Sequence, residues 1–176
     1  QAGIEKSVSW MMPGMVIMLG ILIGYGAFSG GFAEAWSFLF SFNTEGLSSE
    51  GLLAALGHAF FTLSLASGAI LTYGSYLPEG HSIARTTFSV AIADTVVALM
   101  AGLAIFPIIF ANGMNPGQGP GLIFMSLPLA FQAMPFGTLF GVLFFVMLSM
   151  AALTSSISMV EATVAWLVAS KGLTRK

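Results

Sequence analysis

Three groupings of side chains in this sequence could do chemistry. The first is Asp94, a carboxylate about a third of the way into a long apolar stretch. An ionisable group at such depth costs ~2.5–3.5 kcal/mol on insertion scales. It marks either an ion or proton pathway, or a protonated or hydrogen-bonded Asp that holds two helices together. The second is Leu153-Thr154-Ser155-Ser156, consecutive hydroxyls inside another apolar run. They could line a cation site, because hard cations such as sodium prefer oxygen ligands, or they could bond to the carbonyls of their own helix. The third is GHAFFTLSLASGAILTYGSY, Gly57 to Tyr76, apolar enough for a membrane yet interrupted by Ser64, Ala66, Ser67 and Gly68. Irregular backbone at membrane depth survives only where protein or a polar cavity surrounds it. The interruption is therefore either a binding site or a close helix crossing, since small residues also let helices approach.

Two further polar residues carry less. His58 reads as a packed or interfacial histidine before it reads as a ligand. Glu161 follows Thr154 by seven residues, about two helical turns. It either makes a helix-to-helix bond or faces a vestibule, which is a structural or gating role. The two histidines and the scattered acids form no nucleophile–base or metal constellation, so an enzyme is not expected.

The elements that must position these groups follow from composition. Of 176 residues, 57% are apolar and 7% charged, with a mean hydropathy of +0.95. Soluble domains carry roughly 25% charged residues. This is the composition of an all-α polytopic membrane protein with room for four spans of ~20 residues each. A net charge of −2 suggests no nucleic-acid partner, and the absence of cysteine excludes disulfides and thiolate metal sites. The chain opens on Gln1 in what reads as a loop, and the expectation is a single membrane domain, 1–176, cut from a longer polytopic protein.

Spans are predicted at about 9–30, 52–76, 86–110 and 136–168, the second broken near 65–68 at mid-membrane. Pro13 is placed in a first helical turn, where its missing N–H is harmless. Residues 31–50, with Glu34, Glu45, Glu50 and several aromatics, read as an outer aqueous loop with an interfacial segment. Residues 111–135 read as a folded outer lid, made pliable by Gly113, Gly117, Gly119 and Gly121. With alternating spans, Lys6, Arg85, Lys171, Arg175 and Lys176 all fall on one side, and the opposite loops hold no Lys or Arg. The positive-inside rule makes that side, and both chain ends, cytoplasmic in an inner (plasma) membrane.

Phe60-Phe61-Thr62-Leu63-Ser64-Leu65, followed by a small-x-Gly break and Ala69-Ile70, resembles the sixth helix of the neurotransmitter:sodium symporters, which share the leucine-transporter inverted-repeat fold. Ala101-Gly102-Leu103-Ala104-Ile105-Phe106-Pro107 resembles the seventh helix and Ala152-Leu153-Thr154-Ser155-Ser156 the eighth. Gly3-Ile4-Glu5-Lys6 with Met12-Pro13 is similar to the entry into the fifth. The matches run in order over essentially the whole chain, and prokaryotic members fit best.

The resemblance implies a sodium-coupled symporter of amino acids or related small molecules. Its alternatives are a cation channel using the same hydroxyls and Asp94, or a piece that is non-functional by itself. No organic cofactor is implied; sodium ions, the substrate, the bilayer and the remaining helices of the parent transporter are the partners. It places Phe61, Ser64, Ala66, Ser67, Gly68, Ser155 and Met159 at the substrate. Thr62 and Asp94 fall in the first sodium site. Ala151, through its carbonyl, with Thr154 and Ser155 falls in the second. The first-helix half of each site is absent from the chain. Many members have Gly-x-Gly where this chain has Ala66-Ser67-Gly68, so side-chain specificity is left open. With Ala101-Gly102 as anchor, Asp94 stands where the family has an asparagine sodium ligand, and Ala98 where some members carry an acid that replaces chloride. Asp94 is expected to ligate sodium and to supply that negative charge, and His58 replaces a glutamine near the chloride position.

Overall fold

The structure, a computed structural model, describes residues 2–42, 44, 47–65, 68–78, 80–117 and 119–172, with side chains from residue 9 onward. Every regular element among them is helical, in the order α1 (Ala2–Ala27), α2 (Phe32–Phe40), α3 (Ser49–Thr62), α4 (Ala69–Ser75), α5 (Ile83–Ala111), a π-helical turn (Leu122–Ser126), α6 (Leu127–Ala133) and α7 (Gly137–Lys171). A bilayer offers backbone groups no water, so apolar chain of this length must close its hydrogen bonds within helices. Among the described residues, three helices are long and apolar enough to cross: Ser9–Ala27, Ile83–Ala111 and Gly137–Lys171. The stretch predicted as a further span is two short helices. At 14 and 7 residues, α3 and α4 reach only ~21 and ~10 Å, and neither crosses alone.

The chain forms two compact units, and α5 and α7 each contribute a segment to both. The first unit comprises residues 1–42 and 96–151. Its core gathers Leu19 and Leu22 of α1, Ala104, Ile108 and Ile109 of α5, Leu127, Ala130 and Phe131 of α6, and Phe144 of α7. Pro107, buried inside α5, cannot donate to the carbonyl four residues back, that of Leu103. Gly26 of α1 sits against this irregularity. A Cβ there would lie 3.5 Å from the Leu103 oxygen and 3.4 Å from that of Ala104. The Ser29 hydroxyl is 2.6 Å from the Gly26 carbonyl and 3.1 Å from that of Pro107, tying the end of α1 to α5. At Gly31 any side chain would overlap the Pro107 carbonyl. The absence of a Cβ is what lets α2 begin there.

Two features differ from the sequence-based expectation, and a third gives form to the segment 111–135 that reads as a folded lid. Pro13 lies inside α1, which starts at Ala2, and not in its first turn. The helix runs on through the Glu5–Lys6 segment, because charged residues can continue a helix beyond the hydrocarbon. The cost of Pro13 falls on the carbonyl of Ser9, near the apolar run's edge. The stretch 31–50 is not all loop, since α2 occupies nine residues of it. Ala35 of α2 is buried, and Phe38 meets Phe106 and Phe110 edge-on at 4.9 and 5.5 Å between ring centres. Residues 122–133, inside the expected lid, are an apolar helix with Leu127, Ala130 and Phe131 buried.

The turn into α7 is tightly fitted. Phe136 adopts φ 56°, a conformation rare for a residue with a Cβ, and a Cβ at Gly137 would overlap the Phe131 carbonyl. Tyr25 of α1 holds this corner. Its ring stacks on Phe140 at 3.7 Å, and its hydroxyl donates to the Pro135 carbonyl at 2.9 Å. Gly137→Ala is expected to destabilise the protein by about 1–3 kcal/mol, the cost of overpacking a filled site. Tyr25→Phe should cost about 0.5–1.5 kcal/mol, the loss of one hydrogen bond. Thermal unfolding in detergent reads both.

Candidate functional site: the interrupted helix and its acidic partner

The second unit comprises residues 43–95 and 152–176. It opens with α3, whose N-terminus is capped by the Ser48 hydroxyl accepting from the Gly51 amide at 3.0 Å. The end of α3 is equally well defined. The Leu65 amide bonds back to the Phe60 carbonyl and the Ser64 amide to that of Phe61, both at 3.1 Å. Ser64 has φ 52°. These are the paired bonds of a Schellman termination, with Ser64 in the left-handed position that usually takes glycine. A residue with a Cβ in that region carries strain of order 1–3 kcal/mol, which clusters at binding and switch sites. Gly68 then takes φ 76° and starts α4, its carbonyl accepting the Thr72 amide at 3.1 Å and the Thr72 hydroxyl at 3.2 Å.

Thr62 is the last residue of α3, and the termination fixes where its side chain stands. Its hydroxyl donates to the Asp94 carboxylate on α5, 3.1 Å from Oδ1 and 3.3 Å from Oδ2. Asp94 is half-buried. Three oxygens of two helices therefore converge beside the interruption. A single carboxylate with neutral oxygens suits a hard monovalent cation. Among the described residues there is no group of three or more His, Cys, Asp or Glu that could hold a metal ion.

Of the other residues singled out from sequence, Phe61 is 84% exposed, and Ser64 and Gly68 line the interruption itself. Ala66 and Ser67 lie outside the described residues. Ala151, Thr154 and Ser155 are spaced i, i+3, i+4 on α7 and share one face. Ser156 and Ser158 turn their hydroxyls back onto the Ala152 and Thr154 carbonyls, at 2.8 and 3.0 Å. Back-bonding thus accounts for Ser156, as one of the two sequence readings has it. Met159, one turn further on, is 65% exposed. His58 stands four residues before Thr62 in α3 and is exposed.

Sequence reasoning missed Tyr76. Its hydroxyl donates to Glu161 Oε1 at 2.7 Å, joining the residue just after α4 to α7. The available signal was a rule of burial: an acid inside a spanning helix needs a partner, and a tyrosine closes the interrupted stretch. If the bond couples the helices, Tyr76→Phe and Glu161→Gln should be non-additive by about 0.5–1.5 kcal/mol, read from thermal unfolding of the two single mutants and the double.

An interrupted apolar helix with a carboxylate and a hydroxyl meeting at its break defines the class, helical membrane proteins in which discontinuous helices carry the polar site. Comparison with known proteins narrows it. Residues 1–174 match the model of the sodium:neurotransmitter symporter family. The uncharacterized sodium-dependent transporter YhdH of Bacillus subtilis (strain 168) is 43% identical over 165 residues, 94% of this chain and 37% of that protein. The sodium- and chloride-dependent GABA transporter ine of Drosophila melanogaster is 29% identical over 143 residues, 76% of this chain and 15% of that protein. The crystal structure of MhsT in complex with L-phenylalanine superposes with a TM-score of 0.83 at 40% identity, covering 97% of this chain and 39% of that one. The chain belongs to the sodium:neurotransmitter symporter family, a family of sodium-coupled transporters and not of enzymes. It spans little more than a third of the length of YhdH and MhsT.

Proposed function

We propose that the polypeptide to which this chain contributes is a sodium-coupled symporter of amino acids or related small molecules that works without chloride. The observation that carries this reading is the Thr62 hydroxyl at 3.1 Å from the Asp94 carboxylate beside the interrupted helix. In it, α3 and α4 are two halves of one crossing, giving four crossings in a leucine-transporter-like inverted-repeat fold. Thr62 and Asp94 contribute to a first sodium site, and the Ala151 carbonyl with Thr154 and Ser155 to a second. Phe61, Ser64, Ala66, Ser67, Gly68, Ser155 and Met159 face the substrate. The bound L-phenylalanine of MhsT supports an amino acid as the substrate class, and half-helix ends suit its charged groups.

Coupling follows from linkage. Ion and substrate share one region, so each raises the other's affinity by favouring the same closed state. Asp94 supplies the negative charge that chloride would otherwise bring near the ion. Chloride dependence, which the name of ine carries, is the competing outcome. The segment around 111–135 closes the outer side. The basic ends and the loop carrying Arg85 face the cytoplasm, with the protein in the inner membrane.

Uptake of labelled amino acids by the full-length protein in proteoliposomes tests the reading, comparing sodium with choline and chloride with gluconate. Uptake that requires sodium and ignores chloride is expected, and no sodium-driven uptake of any amino acid would overturn symport. Asp94→Asn should weaken the sodium dependence at least ~10-fold, about 1.4 kcal/mol, and make chloride stimulatory. An Asp94→Asn protein with unchanged sodium affinity and continued chloride independence would remove Asp94 from the ion site.

A further inference from the structure

A groove of about 660 Å³ opens beside the first turns of α5. We take as its mouth the end lined by His81, Ser82 and Arg85, where α5 starts. Both basic side chains are exposed, and the Arg85 guanidinium has no carboxylate partner among the described residues. Ser82 and Thr86 use their polar atoms locally. The Ser82 hydroxyl accepts the Arg85 amide at 3.4 Å, and the Thr86 hydroxyl donates to the Ser82 carbonyl at 3.1 Å. Among the described residues nothing neutralises the Arg85 charge at the mouth. The groove then continues along α5 past Ser89 to Val90 and Ala93. From Ser82 to Ala93 is roughly 16 Å along the helix, so its far end is apolar and about half the ~30 Å thickness of a bilayer core from its mouth.

We propose that this groove holds one anionic phospholipid, its phosphate and glycerol headgroup at Arg85 and His81 and an acyl chain along Ser89, Val90 and Ala93. Three observations select a lipid over a soluble anion. The mouth sits at the end of a helix of bilayer-spanning length, where headgroups are. The groove changes from cationic to apolar along its length, as a phospholipid does in the opposite charge sense. A free phosphate would use the mouth alone and gain nothing from the apolar remainder. Arginine suits the mouth because its planar fork matches phosphate oxygens in pairs. The inference rests on α5 crossing a membrane and not on the transport activity, so either can fail without the other.

The test uses the full-length protein in nanodiscs made from equal parts phosphatidylcholine and phosphatidylglycerol, with retained lipid counted by native mass spectrometry. Wild type should retain phosphatidylglycerol preferentially. Arg85→Gln should reduce that preference roughly 5-fold, the effect of one basic residue near a membrane surface, while Arg85→Lys keeps most of it. Ser89→Phe, which fills the groove without touching its charge, should also reduce retention, and thermal unfolding identifies any variant that has lost its fold. Excess inorganic phosphate should not displace the lipid. Absence of a preference in wild type, an unchanged preference in folded Arg85→Gln, or displacement by inorganic phosphate would each overturn the proposal.

Discussion

Inside a bilayer every backbone amide and carbonyl must find its partner in the protein, and the second unit is arranged around the one place where that requirement is hardest to meet. Between Thr62 and Ala69 the helix stops and starts again. The stop is closed by the paired bonds from Ser64 and Leu65 onto Phe61 and Phe60, and the restart turns on the positive φ of Gly68. Because the termination is bonded and not frayed, it fixes the direction of the last α3 side chain. That side chain is Thr62, and it meets Asp94. A polar contact of this kind needs a rigid frame, and the strain held at Ser64 is the cost of that frame.

The first unit answers a related difficulty by other means. Pro107 interrupts hydrogen bonding within α5, and neighbouring backbone closes over it. Gly26 and Gly31 bring main chain where a side chain would not fit, and the Ser29 hydroxyl reaches the Pro107 carbonyl. Around this contact the apolar core from α1, α5, α6 and α7 packs. The same use of small residues recurs at Gly137 under Phe131. In lipid, where apolar burial gives helices little reason to associate, close backbone approach is the main source of packing energy.

Much of this was legible in the sequence because membrane constraints are written in composition. Long apolar runs with few charges locate α1, α5 and α7, and Ser64 and Gly68 mark the interruption of the helix between Gly57 and Tyr76. Asp94 was conspicuous for its cost. The sequence did not reveal that α1 passes through Pro13, because a proline is compatible with both a first turn and an interior position whose freed carbonyl finds another partner. It did not reveal α2 either, since Phe32, Trp36 and Phe40 suit an interfacial loop as well as one stripe of a short helix. That Glu161 needs a partner was legible, but that the partner is Tyr76 was not, because two residues 85 positions apart meet only through tertiary packing, which no local pattern encodes. Family resemblance gave roles to Ala151 and Met159 that spacing alone would not have assigned.

The geometry at Thr62 has a consequence for reversibility. A threonine hydroxyl owns one proton, and here that proton is directed at a carboxylate. An incoming cation would use the lone pairs of the same oxygen, which stay available while its proton is given to the carboxylate, so the hydroxyl can ligate without giving up that bond. On the proposed reading, loading adds an ion to a carboxylate that already holds one donor, and affinity is the difference between those two states. Unloading then leaves the carboxylate with a donor already in place instead of stranding it bare in a medium of low polarity.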